Sequence, residues 1–532
     1  MNELFRNGMA AAVAFGLALT GGIASAQEPR HGGTLAYGIE SEIPWMDPHV
    51  VFGGSNKRVV MMAFEGLVGR DRSDPDRTPP LVGVLAESWE VLEDGRVYRF
   101  HLRDGVLFHD GTPFDAEAVR FNFRRIIDPE FEYYYARTEP LKAGPLRRLT
   151  DVRVIDEHTV ELVLDQPWGP FLDQLSTTLS SGLPLMLSPA AVREHGNEGV
   201  NLHPVGTGPF EITRYGPGIS TVLERNETYW QAPYPYLDQV AFVVLPEAAT
   251  RLAALEAGSV DMITAIPADR IASLEDAGFQ IVMPDAMNLV WFISLNVAEP
   301  PLDDPRVRRA INYAIDRDGI ANDLLGGTVA KIGSMIPGTS PLADSDLTAR
   351  YTYDPDRARE LMAEAGHVDG FTTTAQLPTG GSYMLDPVAI MQWVQRDLAE
   401  IGITISLETY DWVTYLEYWI NGLAEGVGMN VMAWGTDYSE WWLNDIVLSD
   451  GFGNTGHVED EAVDSLFAEY EAAVDPDAAL EVAHDILERV TEQAYFVPIA
   501  SDRAAIAAAP EVRGLEPIPD WMQDFKYYWI AE

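Results

Sequence analysis

The chain has 532 residues, with 82 Asp and Glu against 36 Lys and Arg, a formal net charge of −46, and no cysteine. That field repels a phosphate backbone or an anionic membrane surface, which excludes a basic nucleic-acid binder. Zero cysteines exclude disulfides, thiolate metal sites, a cysteine nucleophile and attachment through a lipidated cysteine. Hydrophobic residues at 47% supply core for about three domains or lobes, at roughly 150 residues each.

Residues 1–26 read as a secretory signal. Arg6 ends a short polar region, Met9 to Leu19 form an apolar run, and Ala24-Ser25-Ala26 offers small residues for cleavage before Gln27. The run is shorter than the roughly 20 residues a membrane span needs, so an exported, periplasmic chain is expected. Strand and helix patterns then alternate, as in mixed α/β architectures. Val97 to Leu102 alternates with period two between Asp94-Gly95 and Asp104-Gly105. His158 to Leu164 reads as another strand, and Ser220 to Glu224 follows the turn Gly216-Pro217-Gly218. Ser188-Pro189, Asp304-Pro305, Asp354-Pro355 and Asp475-Pro476 each place a capping oxygen before a proline at the first helical position. The helix near Ala248 should stop at Gly258, and the one from Pro355 at Gly366.

Local motifs of chemical interest have structural readings. In Phe108-His109-Asp110-Gly111-Thr112-Pro113-Phe114 the adjacent His and Asp form a tight turn leading to a helix capped by Asp115, without a Gly-x-Ser-x-Gly elbow. Gly206-Thr207-Gly208-Pro209-Phe210 lacks the third glycine of a dinucleotide fingerprint and reads as a bend between domains. The ten histidines contain no His-x-x-x-His pair. His101 and His109 flank a turn and read as structural. Asp71, Asp74 and Asp76 lack the glycine and glutamate of a calcium loop. No cofactor or metal is expected.

Seven segments, in order, carry a resemblance. They are Gly32-Gly33-Thr34-Leu35 with Met46-Asp47-Pro48-His49; Glu87-Ser88-Trp89-Glu90; Tyr98 to Gly105; Phe108 to Phe114; Gly206 to Phe210; Leu223-Glu224-Arg225-Asn226 with Tyr229-Trp230; and Pro305 to Ala314. Together they resemble the peptide/nickel-binding family (family 5) of extracellular solute-binding proteins that serve ABC importers. The resemblance implies a two-lobed α/β periplasmic-binding-protein fold (Venus flytrap, type II cluster C-like) with an extra domain on the first lobe. By analogy lobe I uses 27–75, 205–285 and 500–532, the extra domain 76–204, and lobe II 286–499.

Trp412, Trp419, Trp434, Trp441 and Trp442 put five of thirteen tryptophans within a short stretch. Trp441 and Trp442 cannot both face one core, because neighbouring side chains diverge. Rings of this kind stack on sugars, on peptide side chains or over a cation. Asp437, in Trp434-Gly435-Thr436-Asp437-Tyr438, matches the segment where peptide-binding relatives place an aspartate for the peptide's α-ammonium, a charge-assisted contact. Tyr438 accompanies it. Trp45, Met46 and His49, and Asn288 with Trp291, are further candidates for the other side of a cleft. The chain departs from dipeptide-binding relatives in two ways. Ser439-Glu440-Trp441-Trp442 replaces a proline-rich run, and Thr379-Gly380-Gly381-Ser382-Tyr383 has no arginine for a terminal carboxylate.

The expected function is a monomeric carrier delivering a peptide or peptide-like solute to the permease and ATPase of an ABC importer. An opine, an oligosaccharide, nickel or haem are alternative cargoes. A secreted glycosidase using Asp437 and Glu440, or an export-compartment chaperone, are rivals from other classes.

Overall fold

The computed structural model describes residues 28–531, apart from 52–53, 73–78, 177–182, 286, 339, 344–345, 382, 436–439, 504 and 519–521 and the side chains of 54, 55, 413, 440 and 441. In chain order, the elements that position the site begin with β1 (Thr34–Ile39) and α1 (Gly54–Ala63). They continue with β2 (Ala86–Leu92), β3 (Val97–Leu102), α2 (Ala116–Ile127), β4 (Leu149–Asp156), β5 (Thr159–Leu164) and α3 (Pro189–Gly199). Next come β6 (Phe210–Gly216), β7 (Ser220–Arg225), β8 (Gln239–Val244), α4 (Ala248–Glu256), β9 (Met262–Ile263) and β10 (Gln280–Val282). Then follow β11 (Leu289–Leu295), α5 (Pro305–Ala314), β12 (Val329–Lys331), α6 (Pro355–Glu364), β13 (Phe371–Pro378), α7 (Pro387–Ala399), β14 (Ile403–Tyr410), α8 (Trp412–Ile420) and β15 (Met429–Gly435). The last are α9 (Glu461–Ala472), α10 (Pro476–Gln493), β16 (Phe496–Asp502) and β17 (Ile506–Ala508).

Three sheets organise these elements. Lobe I carries seven strands in the order β10-β17-β9-β1-β8-β7-β6, lobe II six in the order β12-β16-β11-β15-β13-β14, and the extra domain four in the order β2-β3-β5-β4. Every residue of β11 is buried, which suits a central strand covered on both faces. The expected caps form. Asp304 accepts from the Arg306 amide, Asp354 from that of Arg357, Asp475 from that of Ala478, and Ser188 from those of Ala190 and Ala191. Asp115 caps α2 in the same way. The two glycine-stopped helices end at Glu256 and Glu364, two residues before Gly258 and Gly366.

The extra domain is fastened to lobe I by buried polar groups. Arg125 of α2 donates to both oxygens of Asp47, at 2.6 and 3.2 Å, and both side chains are almost fully enclosed (0% and 2% exposed). Its Nε donates to Asn197 at 2.9 Å, and its Nη1 meets His49 Nδ1 at 2.7 Å. The His49 Nε2–H donates to the Leu185 carbonyl at 2.9 Å, so the ring is neutral. Burial would raise the Asp47 carboxyl, but Arg125 outweighs it and holds the group below its ordinary range. Removing one partner of such a pair leaves a charge stranded inside and costs about 3–5 kcal/mol.

A second joint uses the two glycine-containing motifs. His109 accepts from the Gly206 amide at 3.3 Å and donates to the Gly208 carbonyl at 3.0 Å. A Cβ at either glycine would collide with the backbone of Met62 and Ala63, so only glycine admits this approach. Between them Thr207 donates to Glu65 at 2.9 Å, joined there by Tyr229 at 2.8 Å and Trp230 at 2.9 Å. His109 and Asp110 thus serve different partners, Asp110 accepting from Ser188 and Thr112, and the turn holds no paired acid and base. His101 lies beside Glu90 at 3.2 Å, so it too has a partner of its own.

Burial pushes His109 down to about 4, and burial together with Arg125 does the same to His49. In the unfolded chain both return to about 6.5. The unfolded state therefore binds extra protons between about pH 6.5 and 4, and stability falls as pH drops through that window, by on the order of 3 kcal/mol for each ring. Urea unfolding should shift to lower midpoints from pH 7 to 4.5, and two imidazole resonances of the folded protein should stay unprotonated until near pH 4. Ten imidazoles all titrating near pH 6.5 would contradict this account.

Candidate functional site: the cleft between the lobes

Two segments cross between lobes I and II: residues 283–288, from β10 to β11, and residues 503–505, from β16 to β17. Ser501 joins them, its hydroxyl donating to the Met287 carbonyl at 2.9 Å and accepting from the Met287 amide at 3.3 Å. Arg503 donates to the Pro284 carbonyl at 2.8 Å and meets Asp285 at 3.2 Å. A connection only two chains wide allows hinge motion with few contacts broken.

Beside the crossing, Met287 and Leu289 of lobe II cluster with Met522 of lobe I, and Met61, Tyr383 and Ala433 pack against them. The β15 strand runs antiparallel to β11 with Leu289 opposite Gly435 and Val290 opposite Trp434. The end of β15 at Gly435 therefore lies next to Asn288, at the seam. On the lobe I wall, Arg58 of α1 is buried and pairs with Glu40 at 3.2 Å. Burial alone would raise the Glu40 carboxyl, yet the guanidinium holds it below its ordinary range. A cavity of about 140 Å³ lies between lobe I and the extra domain, with Met61, Glu65, Arg70, Met522 and Lys526 among its lining. Lys526 is paired with Asp524 at 3.0 Å. Burial raises the Glu65 carboxyl against the opposing pull of its Trp230 and Tyr229 donors and of the Lys526 charge.

Of the residues singled out from sequence, Asp437 and Tyr438 lie outside the described residues, as does the Trp441 side chain. Trp434 is half-buried, with its ring 5.6 Å from both Trp419 and Phe452. Trp412 is half-buried, stacked on Tyr415 at 6.1 Å and lying against Gly381. Trp45 is half-buried beneath Arg137, at 4.1 Å, where lobe I meets the extra domain.

Five of the candidates are enclosed side chains. Trp291 is fully enclosed, its indole N–H donating to the Met384 carbonyl at 3.1 Å, so it faces core and not cleft. Trp442 is enclosed in the same core. Asn288 sits at the seam but its side chain is buried. Met46 is core, and His49 belongs to the Arg125 anchor.

Sequence reasoning missed Arg58, Tyr383, Met61, Met522 and the Ser501–Arg503 tie. Lys57-Arg58 ahead of an apolar run, in so acidic a chain, was the available signal for the first. Tyr383 adopts a φ of +64° and Leu385 a φ of +56°, conformations that L residues adopt only when the surroundings impose them. Trp412 against Gly381 and Trp291 on Met384 supply that support. Two of the tryptophans thus brace the loop whose Tyr383 packs against the seam.

Residues 80–442 match the family model for bacterial extracellular solute-binding proteins, family 5. The chain is 28% identical over 501 residues to the glutathione-binding protein GsiB of Pectobacterium atrosepticum, covering 92% of each. Among solved structures it resembles the periplasmic binding protein DppA of Helicobacter pylori in complex with the peptide STSA, at 25% identity and a TM-score of 0.77, over 94% of this chain and 99% of that one. It also resembles AgaA of A. tumefaciens R10 in complex with agropinic acid, at 25% identity and a TM-score of 0.74, over 94% and 99%. With the family model spanning well over half its length, and the two-lobed fold to match, this chain belongs to the bacterial extracellular solute-binding proteins of family 5.

Proposed function

We propose that the protein is an exported, monomeric periplasmic carrier that binds a short peptide or peptide-like solute between its lobes and hands it, unaltered, to the permease and ATPase of an ABC importer. Lobe I would comprise 27–75, 205–285 and 500–532, the extra domain 76–204 and lobe II 286–499, with the signal removed after Ala26. The observation that carries this reading is the seam itself. β15 ends at Gly435, opposite Leu289 and so beside Asn288, where two crossing segments join the sheets. Solute contacts made by both lobes stabilise only the closed form, so binding shifts the balance toward closure by its differential affinity. Relatives named for glutathione and for a four-residue peptide make those the first cargoes to test. A second reading, an opine-like amino compound, draws on the agropinic acid held by AgaA and on the missing basic residue at 379–383.

Calorimetry and small-angle scattering with glutathione, a tetrapeptide and agropinic acid should find one that binds saturably, narrows the molecule and is recovered intact. Absence of stabilisation by all three, or recovery of cleaved product, would overturn the carrier reading in this form. Asp437→Ala should weaken an amine-bearing solute by about 1.5–3 kcal/mol, the range for a hydrogen bond to a charge; an unchanged calorimetric affinity removes Asp437 from the site. Solute should also shift the tryptophan emission, and Trp434→Phe should abolish most of that response. A full response in Trp434→Phe would leave that ring a packing role.

A further inference from the structure

The extra domain also touches lobe II, far along the chain from the hinge. Glu471, at the end of α9, accepts through one oxygen from Arg147 at 2.7 Å and from Arg148 at 3.0 and 3.2 Å. The Arg147 guanidinium lies over Trp168, 5.1 Å from the ring. The next residue, Gly169, donates its amide to the Glu471 carbonyl at 2.8 Å. A Cβ at Gly169 would collide with the Ala473 carbonyl, so this approach is as close as two backbones allow. Around it lies a mostly apolar cavity of about 210 Å³ walled by both units, with Tyr98 and Leu172 on one side and Tyr470, Val474 and Leu480 on the other.

Hinge rotation carries lobe II away from lobe I, and the extra domain must follow one of them. Its ties to lobe I include the Asp47–Arg125 pair, 2% exposed or less, the His109 bonds to Gly206 and Gly208, and the His49 bond to the Leu185 carbonyl. Its tie to lobe II is a carboxylate 16% exposed, held by arginines 28% and 27% exposed, beside a cavity, with Tyr98 and Phe171 in one apolar cluster with Tyr470. The first ion pair is dry and the second already partly wetted, so breaking the first costs more.

We infer that the extra domain is a clasp for the closed state: Arg147 and Arg148 grip Glu471 only when the cleft is shut, and release it on opening. The extra domain then sets the open–closed balance without touching the solute. This goes beyond the carrier reading and needs no cargo to test, so the two stand or fall separately.

The absence of cysteine permits labelling of the full mature chain with no background. Spin labels at Thr150→Cys and Glu469→Cys, both exposed, report the seam. Labels at Glu117→Cys and Thr213→Cys, also exposed, report the extra domain against lobe I. In solute-free protein, Glu471→Gln should lower the short-distance fraction of the first pair threefold or more. The charge exchange Glu471→Arg with Arg147→Glu and Arg148→Glu should restore it. Gly169→Ala should open the seam by collision, and the second pair should keep one distance throughout. A first pair that stays at a single short distance in both folded Glu471→Gln and Gly169→Ala overturns the clasp. So does a second pair that widens, because the extra domain would then travel with lobe II.

Discussion

The buried pair of Asp47 and Arg125 decides how many parts of this molecule can move. Without it the extra domain would be held to lobe I by backbone bonds such as Leu183 to Pro48 and Met186 to Glu65, by the Arg70–Asp173 pair and by the glycine-lined contact. With it the domain is committed, because pulling it away would expose a matched pair of charges one at a time in a dry interior. Three sheets therefore make two bodies. His49 completes the arrangement by offering Arg125 a neutral nitrogen where a second carboxylate would add unbalanced charge.

On the clasp inference, solute binding acts at two surfaces. One is the seam of methionines and Tyr383 beside the crossing segments. The other is the contact around Glu471. Methionine suits the first, because a flexible, polarizable side chain can repack as lobes approach and part. Tyr383 is held differently, in a left-handed conformation supported by Trp291 and Trp412 from behind. The cleft thus sets an adaptable wall against a fixed one. Such a division suits cargoes that share a backbone and differ in side chains.

What the sequence disclosed, and what it concealed, follows the range of the interactions involved. Helix caps were legible because Asp304, Asp354, Asp475 and Ser188 act on amides two or three residues away. The period-two run from Val97 to Leu102 was legible because alternation is itself local. Burial is not local. Trp291 looked like a cleft residue by its place before a strand, yet that strand is central and every side chain on it is enclosed. The Asp47–Arg125 pair spans 78 residues and the Arg147–Glu471 pair 324, and no spacing rule reaches so far. The glycine motif at Gly206 to Phe210 lay between these cases. Its role as a bend could be read, but its partner His109, 97 residues away, could not. The family resemblance closed that gap for the fold, since shared motifs carry a topology that single residues do not.

The distribution of cations explains why a clasp is useful at all. Only 36 of 532 residues are Lys or Arg, yet Arg58, Arg125, Arg251, Arg308 and Arg317 are buried. Arg251 donates to the carbonyls of Leu245, Pro246, Thr264 and Ala265, and Arg308 to those of Leu302, Asp303 and Gln493. Scarce positive charge is thus spent inside, satisfying chain turns, and the surface is left more acidic than composition alone implies. In a chain of net charge −46, bringing the lobes together works against overall repulsion, most strongly at low ionic strength. Arg147 and Arg148 facing Glu471 place attraction at the rim where that repulsion must be overcome. Salt weakens the repulsion and the clasp together, because both act through partly exposed charge. The open–closed balance of this carrier is therefore buffered against ionic strength by opposing terms, while the buried anchor that defines its two bodies is untouched.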